Sequence, residues 1–427
     1  MRSAAAPAPE IPPLFRQREF AALWWGQLAS LTGERVAYLA LIALLAAHTS
    51  AFRDASSSWL LSTLANVMLA PVLLFAPFVG TWIDRRSRVG VMIGADLLRA
   101  ALVLSIPLLY ALTHSTTLVF ALLFLQFTSG VFFLPAKSAL TPELVAGPQR
   151  LQANVWLSAA GVIAVALGSL GGGWLVDHWG WAPALMLNSV TYLLSVATLL
   201  TLRHVRGARA IHTVGEPAST AAGPRAYLRE MLTGLRAVRD DRHIVLAFTT
   251  LAGIWFAGGF LHVAGNLHVQ QASGAPGVSR LGVLIAVLGL GSAVGTLWLN
   301  AWGRAVARPP LLAGSLVLAG AGVLVFAATT RIEVYALAAF VMGLAVIPAL
   351  MVTETMLQEA AAPEVRARVF GTRDFVVRLV LLCSVTLAGG IARGLGARAA
   401  LIVAGFAAMA CGITALVRFN AAGRTPR

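Results

Sequence analysis

Gly80-Thr81-Trp82-Ile83-Asp84-Arg85-Arg86-Ser87-Arg88 closes one long apolar run and opens the next. A glycine at the end of an apolar helix lets a neighbour approach closely. An acid four residues later, followed by arginines, is placed to form a charge latch that breaks and re-forms as helices move. The plainer alternative is an ordinary basic loop between two spans. Gly80, Asp84, Arg85, Arg86 and Arg88 are therefore the candidate gating residues.

The chain around this loop has 427 residues, 58% hydrophobic and 11% charged, with a mean hydropathy of +0.81. A water-soluble domain carries roughly a quarter of its residues charged, so most of this surface faces something other than water. Continuous apolar runs predict spans near 20–47, 59–81, 90–112, 116–136, 153–176 and 181–202. Six more follow near 244–270, 280–302, 309–329, 333–356, 369–392 and 397–419. A membrane β-barrel would alternate in polarity over segments of about ten residues; these runs do not, and are read as helices. The fold class is an all-α membrane protein of 12 transmembrane helices.

Formal net charge is +15, almost all of it arginine, Lys137 being the sole lysine. Arginines crowd the segments that alternate along the chain: Arg16 and Arg18, the 85–88 loop, Lys137 and Arg150, the 203–243 stretch, and the C-terminal tail. Because cytoplasmic loops carry the excess of basic residues, this predicts both termini inside, in the cell inner membrane. The same rule removes the need for nucleic acid as a partner. Cys383 and Cys411 fall in apolar runs and suggest neither a disulfide framework nor a metal site.

The polar stretch divides the chain into a cytoplasmic tail (1–19), a six-helix bundle (20–202), a linker (203–243), a second six-helix bundle (244–419) and a tail (420–427). Within the linker, Leu228, Met231, Leu232, Leu235 and Val238 form one stripe and Arg225, Arg229, Arg236 and Arg239 a basic face. That pattern predicts an amphipathic helix, either on the membrane surface or on the protein's own loops. The halves also echo each other. Gly80 and Gly295 are 215 residues apart, as are Pro148 and Pro363, and Gly172-Gly173 has its counterpart in Gly389-Gly390. Parallel repeats place a binding site between pseudo-symmetric halves.

The 80–88 segment resembles the signature loop between helices two and three of the major facilitator superfamily. Further likenesses are residues 20–33 with Trp24, Gly26, Gln27 and Ser30, then 135–145, and Gln152-Ala153-Asn154. With 363–371, they narrow it to bacterial exporters similar to enterobactin-exporter-like and macrolide-efflux-like proteins. Gly168-Ser169-Leu170-Gly171-Gly172 is similar to the antiporter motif of helix five, with Ser169 where proline is usual. The resemblance implies a major facilitator fold and a secondary active exporter of an amphipathic small molecule, drug or siderophore-like, by proton-coupled antiport.

Charges within spans are expensive and mark function by default. Glu34 lies near the middle of the first span, and burial disfavours a charged carboxylate. It is the leading proton-coupling candidate, with Asp96 the second; the alternative for Glu34 is a permanent ion pair with Arg99 or Arg378. Asp96 and Arg99 are spaced to pair on one helix. Glu354, Arg373 and Asp374 are read as latch charges of the second half. Candidate cavity residues are Gln27, Arg35, Tyr38, Gln126, Asn154, Trp156, Trp255, His262, Asn266 and Arg378.

No phosphate-binding Gly-x-x-x-x-Gly-Lys-Ser/Thr stretch and no metal-ligand cluster is present in the sequence. An enzyme, a cofactor and a nucleotide-driven pump are not expected. The expected partners are a small-molecule substrate, a proton or other ion gradient and the lipid bilayer, with the chain a monomer. A lysophospholipid or other lipid carrier of the same fold is the alternative, and a non-transporting membrane sensor the third reading.

Overall fold

The computed structural model of the chain describes residues 12–49, 56–83, 86–204, 241–272, 277–303, 306–361 and 363–422. These form twelve helices long and apolar enough to cross a membrane. In the first half they are α1 (Arg18–His48), α2 (Ser57–Ile83), α3 (Arg88–Thr113), α4 (Thr116–Leu144), α5 (Arg150–Trp179) and α6 (Trp181–Leu200). The second half has α7 (Arg242–Ala272), whose 261–265 segment widens into a π turn. It continues with α8 (Ser279–Trp302), α9 (Arg308–Ala328), α10 (Ile332–Ala360), α11 (Pro363–Leu395) and α12 (Ala397–Ala422). The linker helix expected at 227–239 lies outside the described residues.

Short polar side chains start the helices where backbone N–H groups lack partners. Ser87 caps α3 through the Gly90 amide, Ser115 caps α4 through Leu118, and Asp241 caps α7 through His243 and Ile244. His114 ends α3 in a left-handed conformation with φ of 49°. Large apolar side chains such as Leu112, Leu297 and Phe406 remain exposed. In a soluble protein they would form a liability; around spanning helices they form the lipid-facing surface.

Within each half the packing follows one plan. Helices α1 and α5, α1 and α6, α2 and α4, α3 and α4, and α3 and α6 are in contact. Adding six to each number gives the contacts of the second half. Between halves, α5 meets α8 and α2 meets α11, a pair of interfaces that the same operation exchanges. Charge follows the symmetry as well: Arg88 at the start of α3 pairs with Glu143 late in α4, and Arg308 at the start of α9 with Glu359 late in α10.

Three helices differ in length from the hydropathy reading. α4 runs through Pro135 and Pro142 to Leu144 instead of ending near 136, α10 reaches Ala360, and α11 begins at Pro363. Hydropathy registers contact with lipid, whereas a helix needs only its own backbone bonds. The added turns of α4 are anchored by buried Leu140 and Thr141. The consequence is a correction: Lys137 belongs to the wall of α4, not to a cytoplasmic loop.

Glycines set the closest approaches. A Cβ at Gly291 of α8 would stand 2.1 Å from the Phe340 carbonyl of α10, and one at Gly343 2.1 Å from the Leu288 carbonyl. Backbone cannot yield as a side chain can, and overpacking costs about 1–3 kcal/mol. Gly291→Val is therefore expected to lower the thermal midpoint of the detergent-purified protein by several degrees. Gly171→Ala, where a Cβ meets nothing within 4 Å, is expected to leave it unchanged or raise it. Equal midpoints for Gly291→Val and wild type would refute this account of α8–α10 packing.

Candidate functional site

Glu34 and Asp96 share one guanidinium. Arg99 of α3 places Nη1 3.4 Å from Glu34 Oε1 on α1 and 3.3 Å from Asp96 Oδ1 one turn away. Tyr192 of α6 donates its hydroxyl to Glu34 Oε1 at 3.2 Å, and Gln126 of α4 donates to Tyr192 at 3.0 Å. Gly130 of α4 makes room for the guanidinium, since a Cβ there would lie 2.3 Å from Arg99 Nη2. The rings of Phe133 and Tyr192 flank Arg99 at 5.2 and 5.4 Å, close enough for cation–π attraction. Asp96 is fully buried, whereas the Glu34 side chain keeps 34% of its surface open.

Glu34 opens into a central cavity of about 500 Å³ lined by α1 to α4 of the first half and, from the second half, by Arg378. Its polar lining comprises Gln27, Ser30, Glu34, Arg99, Lys137 and Arg378. Gln27 is buried, and its Oε1 has no hydrogen-bond partner among the described residues. The apolar lining includes Leu31, Met68, Val72, Phe127 and Leu134. Lys137 and Tyr192 escaped the sequence reading. Lys137 was assigned to a loop, and a tyrosine in an apolar run carries no signal until its partner Glu34 is known.

Met68 also lines a second cavity of about 350 Å³, together with Arg35, Tyr38, His262 and Asn266. Neighbouring residues on a helix point about 100° apart, which sends Arg35 here and Glu34 to the central cavity. The Tyr38 hydroxyl lies 3.3 Å from His262 Nε2 across the two halves. Four expected cavity residues take no part in either lining: Gln126, Asn154, Trp156 and Trp255. Asn154 is exposed, Trp156 joins Phe15 and Trp24 in an aromatic cluster, and Trp255 packs with the core around Phe248 and Leu251. Gln126 reaches the site only through Tyr192.

Beyond this second cavity the halves are fastened together. Asp177 at the end of α5 accepts the Val278 and Ser279 amides, at 2.7 and 3.0 Å, capping α8 of the other half. Ser62 donates to the Val385 carbonyl at 2.8 Å, and Asn66 to Thr386 at 3.0 Å. A Cβ at Gly282 would lie 2.2 Å from the Ser169 carbonyl, and one at Gly389 2.5 Å from Ser62 Cβ. We call this the latched end. At the opposite end, Arg86 lies 4.5 Å over the Trp82 ring, and Arg373 pairs with Glu354 and Asp374. Gly80 sits in the last turns of α2, while Asp84 and Arg85 lie outside the described residues. Among the described residues no group of three potential metal ligands is found.

Twelve spanning helices in two symmetric bundles, with a charged cavity between them, define a membrane transport protein. Residues 23–278 match the Major Facilitator Superfamily, and the chain belongs to that family: it is a multi-pass inner-membrane transporter, not an enzyme. It is 25% identical over 363 residues to BacE of Bacillus subtilis, described as a bacilysin exporter, covering 84% of this chain and 85% of that one. Macrolide efflux protein A of Streptococcus pyogenes is 23% identical over 387 residues, covering 88% and 90%. Lysophospholipid transporter LplT of Yersinia pestis is 26% identical over 280 residues, covering 65% and 63%. In fold, the chain is similar to a crystal structure of the peptide transporter POT, with a TM-score of 0.73 at 12% identity over 98% of this chain and 97% of that one.

Removing a capping carboxylate costs about 1 kcal/mol, a roughly fivefold change in a two-state equilibrium. Asp177→Ala should therefore loosen the latched end. With both native cysteines replaced by serine, a reporter cysteine at Leu284, buried in the second cavity, is expected to react several times faster with maleimide in Asp177→Ala. An unaltered rate would mean that the cap does not hold the halves together.

Proposed function

We propose that the protein exports an amphipathic small molecule by alternating access, as a monomer, in exchange for protons carried by Glu34. The observation that carries this reading is the unequal exposure of two carboxylates on one buried guanidinium. One acid is enough to pair with Arg99 in a medium of low polarity, where Coulomb energies are large, so the second carboxylate can take up and release a proton while the guanidinium stays paired. Asp96 is sealed from the cavity and holds Arg99, so the proton that comes and goes belongs to Glu34.

The arginine asymmetry supports both termini on the cytoplasmic side. With that orientation the latched end faces outward, and the central cavity is a loading state facing the cytoplasm. Its volume of about 500 Å³ suits a drug-sized ligand. Its mixed lining suits an amphipath, and the exporters among the relatives support the outward direction. Release of the Asp177 and Ser62 contacts at the latched end, with closure of the opposite end, would complete the cycle.

A second reading, a lipid carrier, is favoured by a lateral groove of about 710 Å³ between α3 and α4. Gly90, Gly94, Leu98, Leu125 and Phe132 line it, and LplT is among the relatives.

Proteoliposomes loaded with a macrolide under an imposed pH gradient test the first reading. Glu34→Gln is expected to abolish gradient-driven efflux while elution on gel filtration and thermal midpoint stay those of wild type. Undiminished pH-driven efflux in that variant would exclude Glu34 as the carrier. Movement of lysophospholipid that ignores an uncoupler would favour the lipid carrier instead.

A further inference from the structure

Two cations of the central cavity have no task in the proton cycle. Lys137 reaches it from α4 of the first half and Arg378 from α11 of the second. Neither has an ion-pair partner among the described residues. Glu34, the acid that shares this cavity with them, is already engaged with Arg99. Unpaired charges within spanning helices are costly and mark a candidate substrate path. A cation from each half facing one cavity is suited to an anion that binds both halves at once.

An anion alone, however, conflicts with exchange for protons. Linkage is reciprocal: a ligand that repels the Glu34 carboxylate favours its protonation, so a purely anionic cargo and the proton would travel together. A purely cationic cargo would displace the proton at Glu34 but would meet Lys137 and Arg378 as repulsion. Only a cargo with both charges satisfies the lining and still competes with the proton. Gln27 lines this cavity and is buried with a carbonyl oxygen that has no partner among the described residues, so it has one acceptor to offer.

We propose that the cargo is a zwitterionic amphipath, its anionic group held between Lys137 and Arg378 and its ammonium replacing the proton at Glu34. The charges facing Glu34 are Arg99 and Asp96 of α3, Lys137 of α4 and Arg378 of α11, with the Tyr192 hydroxyl of α6. In this state the ammonium joins the carboxylate that Arg99 and Tyr192 already hold, and the expelled proton leaves through the cavity. The apolar body lies against Leu31, Val72 and Phe127. This inference rests on the antiport reading above.

Three probes with one aromatic body separate the possibilities: Nε-dansyl-lysine (zwitterion), its Nα-acetyl derivative (anion) and its methyl ester (cation). Binding to the purified full chain is read by energy transfer from its 11 tryptophans, and proton release in weak buffer. A charge-assisted contact is worth about tenfold or more in affinity, so the zwitterion should bind at least about tenfold more tightly than either singly charged probe. Lys137→Gln should weaken the zwitterion and the acetyl derivative and spare the ester. Glu34→Gln should weaken the zwitterion and the ester and spare the acetyl derivative. Lys137→Arg should retain wild-type preference.

Equal affinity for ester and zwitterion, indifference to Lys137→Gln, or no binding of any probe by folded protein overturns the proposal. If the ester binds as well as the zwitterion and releases protons through Glu34, the zwitterion assignment falls and the antiport reading stands. If the zwitterion is preferred through Lys137 but no proton is released, the antiport reading falls.

Discussion

The Arg99 guanidinium joins α1 to α3 in the interior of the first bundle, where it is largely withdrawn from solvent. Such a charge is tolerable only if it is paired and hydrogen-bonded. Much of the local structure is arranged to that end: Gly130 omits a side chain to admit it, Phe133 and Tyr192 offer ring faces, and carboxylates come from two helices. Tyr192 and Gln126 extend the network to α6 and α4. Four helices of the first half are thus held by one group, and the second half contains no equivalent among the described residues. The asymmetry places the buried charge network in the first bundle, while the cavity beside it also takes Arg378 from the second.

Where the two bundles are alike, the likeness is mechanical. The α5–α8 and α2–α11 interfaces exchange under the six-helix shift, and both are closed by small residues against backbone or short side chains. The paired ion contacts Arg88–Glu143 and Arg308–Glu359 are alike as well. Pairs this open to solvent add little to stability; each ties the start of one helix to the end of the next within its own bundle. Two rigid bodies joined by contacts gathered at one end are suited to reopening there when the other end closes.

Much of this was legible in the sequence. Continuous apolar runs predicted twelve spans because lipid imposes a length and a composition together. The spacing of Asp96 and Arg99 announced a pair on one helix, and Arg99 stood among the partners expected for Glu34. The paired counterpart of Glu354 and Arg373 was legible for the same reason of charge. Lys137 was missed because hydropathy ends a span where polarity begins, although the helix continues. Asn154, Trp156 and Trp255 were placed in the cavity on residue type alone, and type does not tell which way a helix face turns. The 215-residue offset located the repeat but not its ion pairs, which lie at other spacings because loop lengths differ between halves.

The π turn at 261–265 in α7 has a consequence for everything after it. A π turn takes up about one residue more than an α turn, and one residue is about 100° of rotation. The last two turns of α7 are therefore rolled about their axis relative to an unbroken helix. Asn266 and Val269 face the second cavity on the rolled register, and His268 is carried to the side, where its ring nitrogen meets the Thr329 carbonyl at 3.3 Å. The chain thus chooses which of its polar residues face the interior by a change of helical pitch as well as by sequence. A helix with such a step can shed or regain it locally and turn its tip without moving its base.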